Sequence, residues 1–159
     1  MGRSEFTRPG FILTFAGQGS RWQPAMHEWL DHPDGDPLRA DIAAADELLN
    51  GLEVSLPPLR LSAEAADEAA NAADTDADDD APTRPAHSTP GILLAQLATL
   101  DSLALQGFPV GDARGFLGHS QGVLAQAAAA GELTRPQAVA LARLIGAAIE
   151  KVAAVTGLH

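Results

Sequence analysis

The residues best suited to covalent chemistry lie together at Gly118-His119-Ser120-Gln121-Gly122. The pattern is G-x-S-x-G, and its spacing has a mechanical reason. A serine on a sharp strand-to-helix turn has a strained backbone, and bulky neighbours two residues away would clash, so glycine stands on both sides. Such a turn lifts the Ser120 hydroxyl clear of the chain as a nucleophile. It also aims the backbone N–H of Gln121, at the start of the next helix, toward the oxyanion of a tetrahedral intermediate. The chemistry indicated is acyl transfer through a seryl ester. A serine hydroxyl also needs a base, and none of the five histidines is well placed to serve. His119 is adjacent to Ser120, and neighbouring side chains at such a turn diverge. His27 and His32 fall in the first helical region, His87 borders an acidic stretch, and His159 is terminal. For these four a surface or packing role is the default. In serine hydrolases built on this turn the histidine follows well downstream, whereas only 39 residues follow Ser120, most of them with helical patterning.

The turn needs a strand before it and a helix after it, and the sequence predicts both. Gly115-Phe116-Leu117-Gly118 reads as a short buried strand, and Val123 to Ala130 as a short helix stopped by Gly131. An earlier apolar run, Phe11 to Phe15, reads as a strand buried on both faces. It runs directly into Gly17-Gln18-Gly19-Ser20, a turn whose glycines let the backbone approach a neighbour closely. Trp22 and Trp29 bracket a short helix beginning near Pro24. Asp36-Pro37 reads as an N-cap followed by a first-turn proline, with Gly51 as the stop and Leu38, Ile42, Ala45, Leu48 and Leu49 at helical spacing. Ser88-Thr89-Pro90 reads as a second such start, for a strongly apolar helix ending at Gly107. Thr134-Arg135-Pro136-Gln137 fits a capping box. It opens a helix carrying Val139, Leu141, Ala142, Leu144, Ile145, Ile149 and Val152 before Gly157. Alternating strand, turn and helix imply an α/β layer architecture.

Composition narrows the function classes. The chain has 159 residues, 46% hydrophobic and 19% charged, enough for a real core without staples. It has no cysteine, which excludes disulfides, a thiolate nucleophile and cysteine-held metals, and points to the cytoplasm. No apolar run is long enough to span a membrane, and Met1–Gly10 lacks the apolar core of a signal peptide. The net charge of −11 disfavours nucleic acid as a partner. Eight acidic residues fall between Ser62 and Ala81 with no basic residue among them; the rest of the chain has 13 acidic against ten basic side chains, an ordinary surface. This Ala/Asp-rich stretch has too few branched or aromatic side chains to offset ordering entropy, so it is expected to be a solvated, mobile insertion. A calcium loop would need a turn glycine that is missing there, and no metal site is expected.

Phe15-Ala16-Gly17-Gln18-Gly19-Ser20 after a strand, followed about a hundred residues later by Gly118-His119-Ser120-Gln121-Gly122, resembles the acyl-CoA:acyl-carrier-protein transacylases. The likeness is greatest to the acetyltransferase domain at the N-terminal end of bacterial type I fatty acid synthases. It covers roughly Phe11 to Gly157 outside the acidic stretch. The resemblance implies an α/β-hydrolase-like large subdomain of an acyltransferase, incomplete, with a short parallel sheet flanked by helices. The expected divisions are a tail over 1–10, the first part of the acyltransferase domain over 11–61, the acidic insertion over 62–85, and the continuing core with the elbow over 86–159. It further implies that Ser120 is the nucleophile and that Gln18 and Gln121 give backbone N–H groups to the oxyanion hole. His119 would support the elbow, while Gly17 and Gly19 would line the substrate site. Malonyl-specific relatives carry an arginine immediately before the glycine of the helix after the elbow. Here that position is Ile145, a buried isoleucine by this reading. It cannot pair with a free carboxylate, which favours an uncharged acyl group, acetyl above all. The implied substrate is acetyl-CoA, with no permanently bound cofactor. The implied partners are the phosphopantetheine thiol of an acyl carrier protein and the remainder of a homo-oligomeric synthase. The family's catalytic histidine and most of its small ferredoxin-like subdomain are expected beyond the end of this chain, which reads as the N-terminal part of a transferase domain. A serine esterase or thioesterase, and a non-catalytic scaffold built on a transferase remnant, are the alternatives.

Overall fold

A computed structural model describes residues 10–17, 22, 26, 29–56, 59 and 84–157, and among these its main elements are two short parallel strands and four helices. In chain order the elements are β1 (Ile12–Phe15), α1 (Asp36–Gly51), α2 (Pro85–Leu105), β2 (Gly115–Gly118), α3 (Gly122–Ala129) and α4 (Arg135–Thr156). The expected α/β class with a short parallel sheet flanked by helices is what the structure shows. β1 and β2 pair in parallel with Ile12 opposite Gly115 and Phe15 opposite Gly118. Parallel neighbours need a long crossover, and α1 and α2 lie within it. Because the strands run the same way in register, their carboxyl ends meet at one edge. Gly17 and the Ser120 turn both lie at that edge.

The core lies between the helices. α4 packs against α2 and α1, and α3 packs against both strands. Leu93, Leu94 and Leu97 of α2 meet Val139 and Ala142 of α4 and Leu38, Ala45 and Leu49 of α1 in one buried cluster. Each fully buried leucine or valine there contributes about 1.5–3 kcal/mol relative to exposure. Arg135, at the start of α4, ties the three helices at their ends. Its guanidinium makes a two-pronged contact with Asp101 of α2 at 2.6 and 2.8 Å, and its Nε lies 2.7 Å from Asp41 of α1, an ion pair off the hydrogen-bond line. Arg143, buried a little further along, pairs with Asp46 of α1.

Several expectations are corrected. Neither strand is buried on both faces: Ile12 is 57% and Leu117 59% exposed, because no described layer covers the side away from the helices. α1 begins at Asp36 after a 3-10 turn over Pro33–Gly35, so Gly35 is the N-cap and Asp36 is already inside the helix. α2 begins at Pro85, three residues before the expected cap, and Pro90 lies inside it. A proline there forfeits one helical hydrogen bond. The first turn is nevertheless held by packing, since Gly146 of α4 lets Pro85 and Ala86 approach so closely that a side chain at Gly146 would collide with them. On α4 the expected apolar face divides: Val139 and Ala142 are buried, while Leu141, Ile145, Ile149 and Val152 are 37–60% exposed. The capping box forms as expected. The Gln137 N–H donates to Thr134 Oγ1 at 3.3 Å and the Thr134 N–H to Gln137 Oε1 at 2.9 Å. Met26 and Trp29–Asp31 are helical. Pro24, the tail over 1–9 and the acidic stretch up to residue 83 lie outside the described residues. Among the described residues no helix is long and apolar enough to cross a membrane.

Candidate active site

The turn between β2 and α3 has the form a nucleophilic serine requires. Ser120 sits at φ +54°, in the left-handed region that non-glycine residues avoid. Such a conformation costs of order 1–3 kcal/mol and persists only where its surroundings impose it. The restraints are visible. The Gly122 N–H donates to the His119 carbonyl at 2.9 Å, and the Val123 N–H to the Ser120 carbonyl at 3.2 Å. The His119 N–H donates to the carbonyl of Phe15 at 3.1 Å, which fixes the turn to the end of β1. A side chain on Gly118 would stand 2.5 Å from the Gly122 carbonyl, and one on Gly122 would strike the Phe15 carbonyl. Both glycines are therefore demanded by space as well as by the motif.

The two motifs come together. A Cβ on Gly17 would lie 2.9 Å from Ser120 Cβ and 2.9 Å from the His119 carbonyl, so Gly17 rests directly on the Ser120 turn. Ser120 and His119 are exposed. The backbone N–H of Gln121, at the N-terminus of α3, has no hydrogen-bond partner among the described residues, as an oxyanion donor requires. Gln18 and Gly19 lie outside the described residues. His119 acts on the turn through its main chain; its imidazole has no hydrogen-bond partner among the described residues. Ile145 is 37% exposed among the described residues, which corrects the expectation that it is buried. His32 caps the 3-10 turn on the surface, its Nδ1 accepting from the Asp34 N–H at 3.2 Å. His87 is half-buried on α2, and His27 and His159 lie outside the described residues. Among the described residues no group of three or more histidines, aspartates or glutamates could hold a metal ion.

Three supporting polar contacts escaped sequence reasoning. Gln126 Oε1 accepts from the Gly118 N–H at 3.0 Å, Gln96 Nε2 donates to the Ala16 carbonyl at 2.5 Å, and Gln121 Nε2 donates to Thr89 Oγ1 at 3.1 Å. Gln96 and Gln126 are polar positions in otherwise apolar helical runs, and that was the available signal.

No family model matches the chain, and no curated protein matches it. Among solved structures it is similar to MCAT from Mycobacterium tuberculosis, with a TM-score of 0.60 and 28% identity, over 91% of this chain and 41% of that one. The chain thus spans about two fifths of that protein's length. Its fold is that of an α/β acyltransferase.

Proposed function

We propose that these residues form the nucleophile-bearing part of an acyltransferase that moves an acyl group between CoA and acyl carrier protein in fatty acid synthesis, and that the group is acetyl. The observation that carries the proposal is Ser120 at φ +54° between β2 and α3, with Gly17 packed on it. The likeness to MCAT, a malonyl-CoA:acyl-carrier-protein transacylase, supports the transfer between CoA and carrier protein. Ile145 supports acetyl, since it stands where the malonyl-specific relatives have an arginine.

In the reaction, Ser120 Oγ attacks the thioester carbonyl of acetyl-CoA and gives its proton to a base, which in the family it resembles is a histidine. The Gln121 N–H, with that of Gln18, stabilises the oxyanion; loss of one such donor typically costs about 2.7–4 kcal/mol in the transition state. The C–S bond breaks, the CoA thiolate takes the proton, and acetyl remains on Ser120 as an ester. A phosphopantetheine thiol then attacks that ester and restores the hydroxyl. The test is intact-mass detection of an acetylated protein after mixing the native protein with acetyl-CoA. Wild type is expected to gain one acetyl group and Ser120→Ala none. Equal labelling of both would overturn the assignment. Release of free acetate without transfer to a carrier thiol would indicate an esterase or thioesterase, and a complete lack of labelling a scaffold.

A further inference from the structure

We propose that Thr89 is a positioning residue for the Ser120 turn, acting through the side chain of Gln121 to set where the Gln121 backbone N–H points. The kinetic consequence rests on the acyl-transfer reading above, whereas the tether itself rests on geometry alone. Thr89, in the first turns of α2, is 2% exposed. Its Oγ1 accepts from Gln121 Nε2 at 3.1 Å, a contact that joins residues 32 positions apart. The other end of that amide, Oε1, is buried with no hydrogen-bond partner among the described residues. Thr89 is thus the one polar group among the described residues holding the Gln121 carboxamide.

Gln121 matters because of its neighbours. It follows Ser120, whose strained backbone needs restraint, and it precedes Gly122, which is jammed against the carbonyls at the end of β1. Main-chain bonds hold both flanking residues, but the Gln121 N–H is uncommitted. Its direction is set by the Ser120–Gln121 peptide plane, which the Val123 N–H holds through the Ser120 carbonyl at 3.2 Å and to which the side-chain tether adds a second restraint. An oxyanion donor acts only if it is aimed in advance at the developing charge. A hydroxyl can accept in this geometry and a methyl group cannot. Thr89→Val keeps the shape of the side chain and leaves the buried carboxamide unpaired at both ends. An unpaired buried carboxamide is costly, so the side chain is expected to leave this position, and the restraint it adds to the Gln121 backbone is lost.

The experiment compares wild type with Thr89→Val, Thr89→Ser and Ser120→Ala in the native protein. It measures kcat and KM for acetyl transfer, and the NMR shift and hydrogen exchange of the Gln121 backbone amide. Thr89→Val is expected to lower kcat roughly tenfold with KM changed less than about twofold, the signature of a contact used mainly in the transition state. The Gln121 amide is expected to shift and exchange faster. Thr89→Ser, which keeps the acceptor, is expected to restore both readouts. Wild-type kcat in Thr89→Val would overturn the proposal, and so would equal impairment of Val and Ser, which would mean that only packing was lost. If wild type itself forms no acyl-enzyme, the acyl-transfer reading fails on its own. The Gln121 amide then still decides the tether, because an unchanged resonance in Thr89→Val overturns it.

Discussion

At the scale of single residues, the proposed function depends on one strained backbone and on what stands around it. Ser120 holds its left-handed conformation because Gly118 and Gly122 have no side chains to obstruct the turn and because the His119 main chain is bonded to β1. The proposed choice of acetyl belongs to this scale as well. With Ile145 37% exposed, an arginine placed there would incur little burial penalty and could offer a cation to a carboxylate. Ile145→Arg is therefore expected to raise the malonyl-to-acetyl preference at least about tenfold, in keeping with a charge-assisted hydrogen bond. Competition between the two CoA esters for acylation of Ser120 measures it, and an unchanged ratio would remove Ile145 from the specificity argument.

At the scale of elements, the helices are delimited mostly by local chemistry and placed by contacts far away in sequence. α4 starts at Thr134 because both halves of the capping box form, and it ends at Gly157, which takes φ +65°. Thr134→Ala removes one half of the box and is expected to destabilise the fold by about 1 kcal/mol. Urea denaturation would show this as a lower midpoint with an unchanged slope. α2 follows a different logic. Its local start signal lies at Ser88-Thr89-Pro90, yet the helix begins at Pro85 because Gly146 of α4 admits the extra turn. That early start buries Thr89 and brings it to Gln121. A local pattern cannot show this, because the deciding contact comes from a helix more than fifty residues later in the chain.

At the scale of the whole molecule, charge is buried where the helices meet. Burial pushes the Asp41 carboxyl above its ordinary value of 3.8, and the attraction of Arg135 offsets this only in part. Arg135 in turn is held in its charged form chiefly by its hydrogen bonds to Asp101. A raised carboxyl pKa means that the folded state binds the proton more tightly than the unfolded chain. Asp41 therefore favours folding most at low pH, and this contribution is lost as pH rises from 3.8 through the elevated native value. Asp41→Asn removes that falling component, so its stability should climb more steeply with pH across the window than that of wild type. Denaturant titrations at a series of pH values would check it, and parallel curves would show that Asp41 is not perturbed.

The sequence by itself determined the α/β class, the strand–turn–helix around Ser120, the capping box at Thr134 and the demand for glycine at 118 and 122. Each is local, set by steric limits and hydrogen bonds within a few residues, and each can be read from type and spacing. Only the tertiary structure decided that Gly17 rests on Ser120, that Thr89 holds Gln121, that Arg135 joins three helices and that Ile145 is partly exposed. Periodicity shows which residues are apolar and leaves open which of them find a partner. For that reason the outer faces of both strands and the stripe from Leu141 to Val152 on α4 read as core in the sequence and stand exposed in the fold. The parallel register of β1 and β2 made the largest difference, because it brought Gly17 and the Ser120 turn, a hundred residues apart, to the same edge.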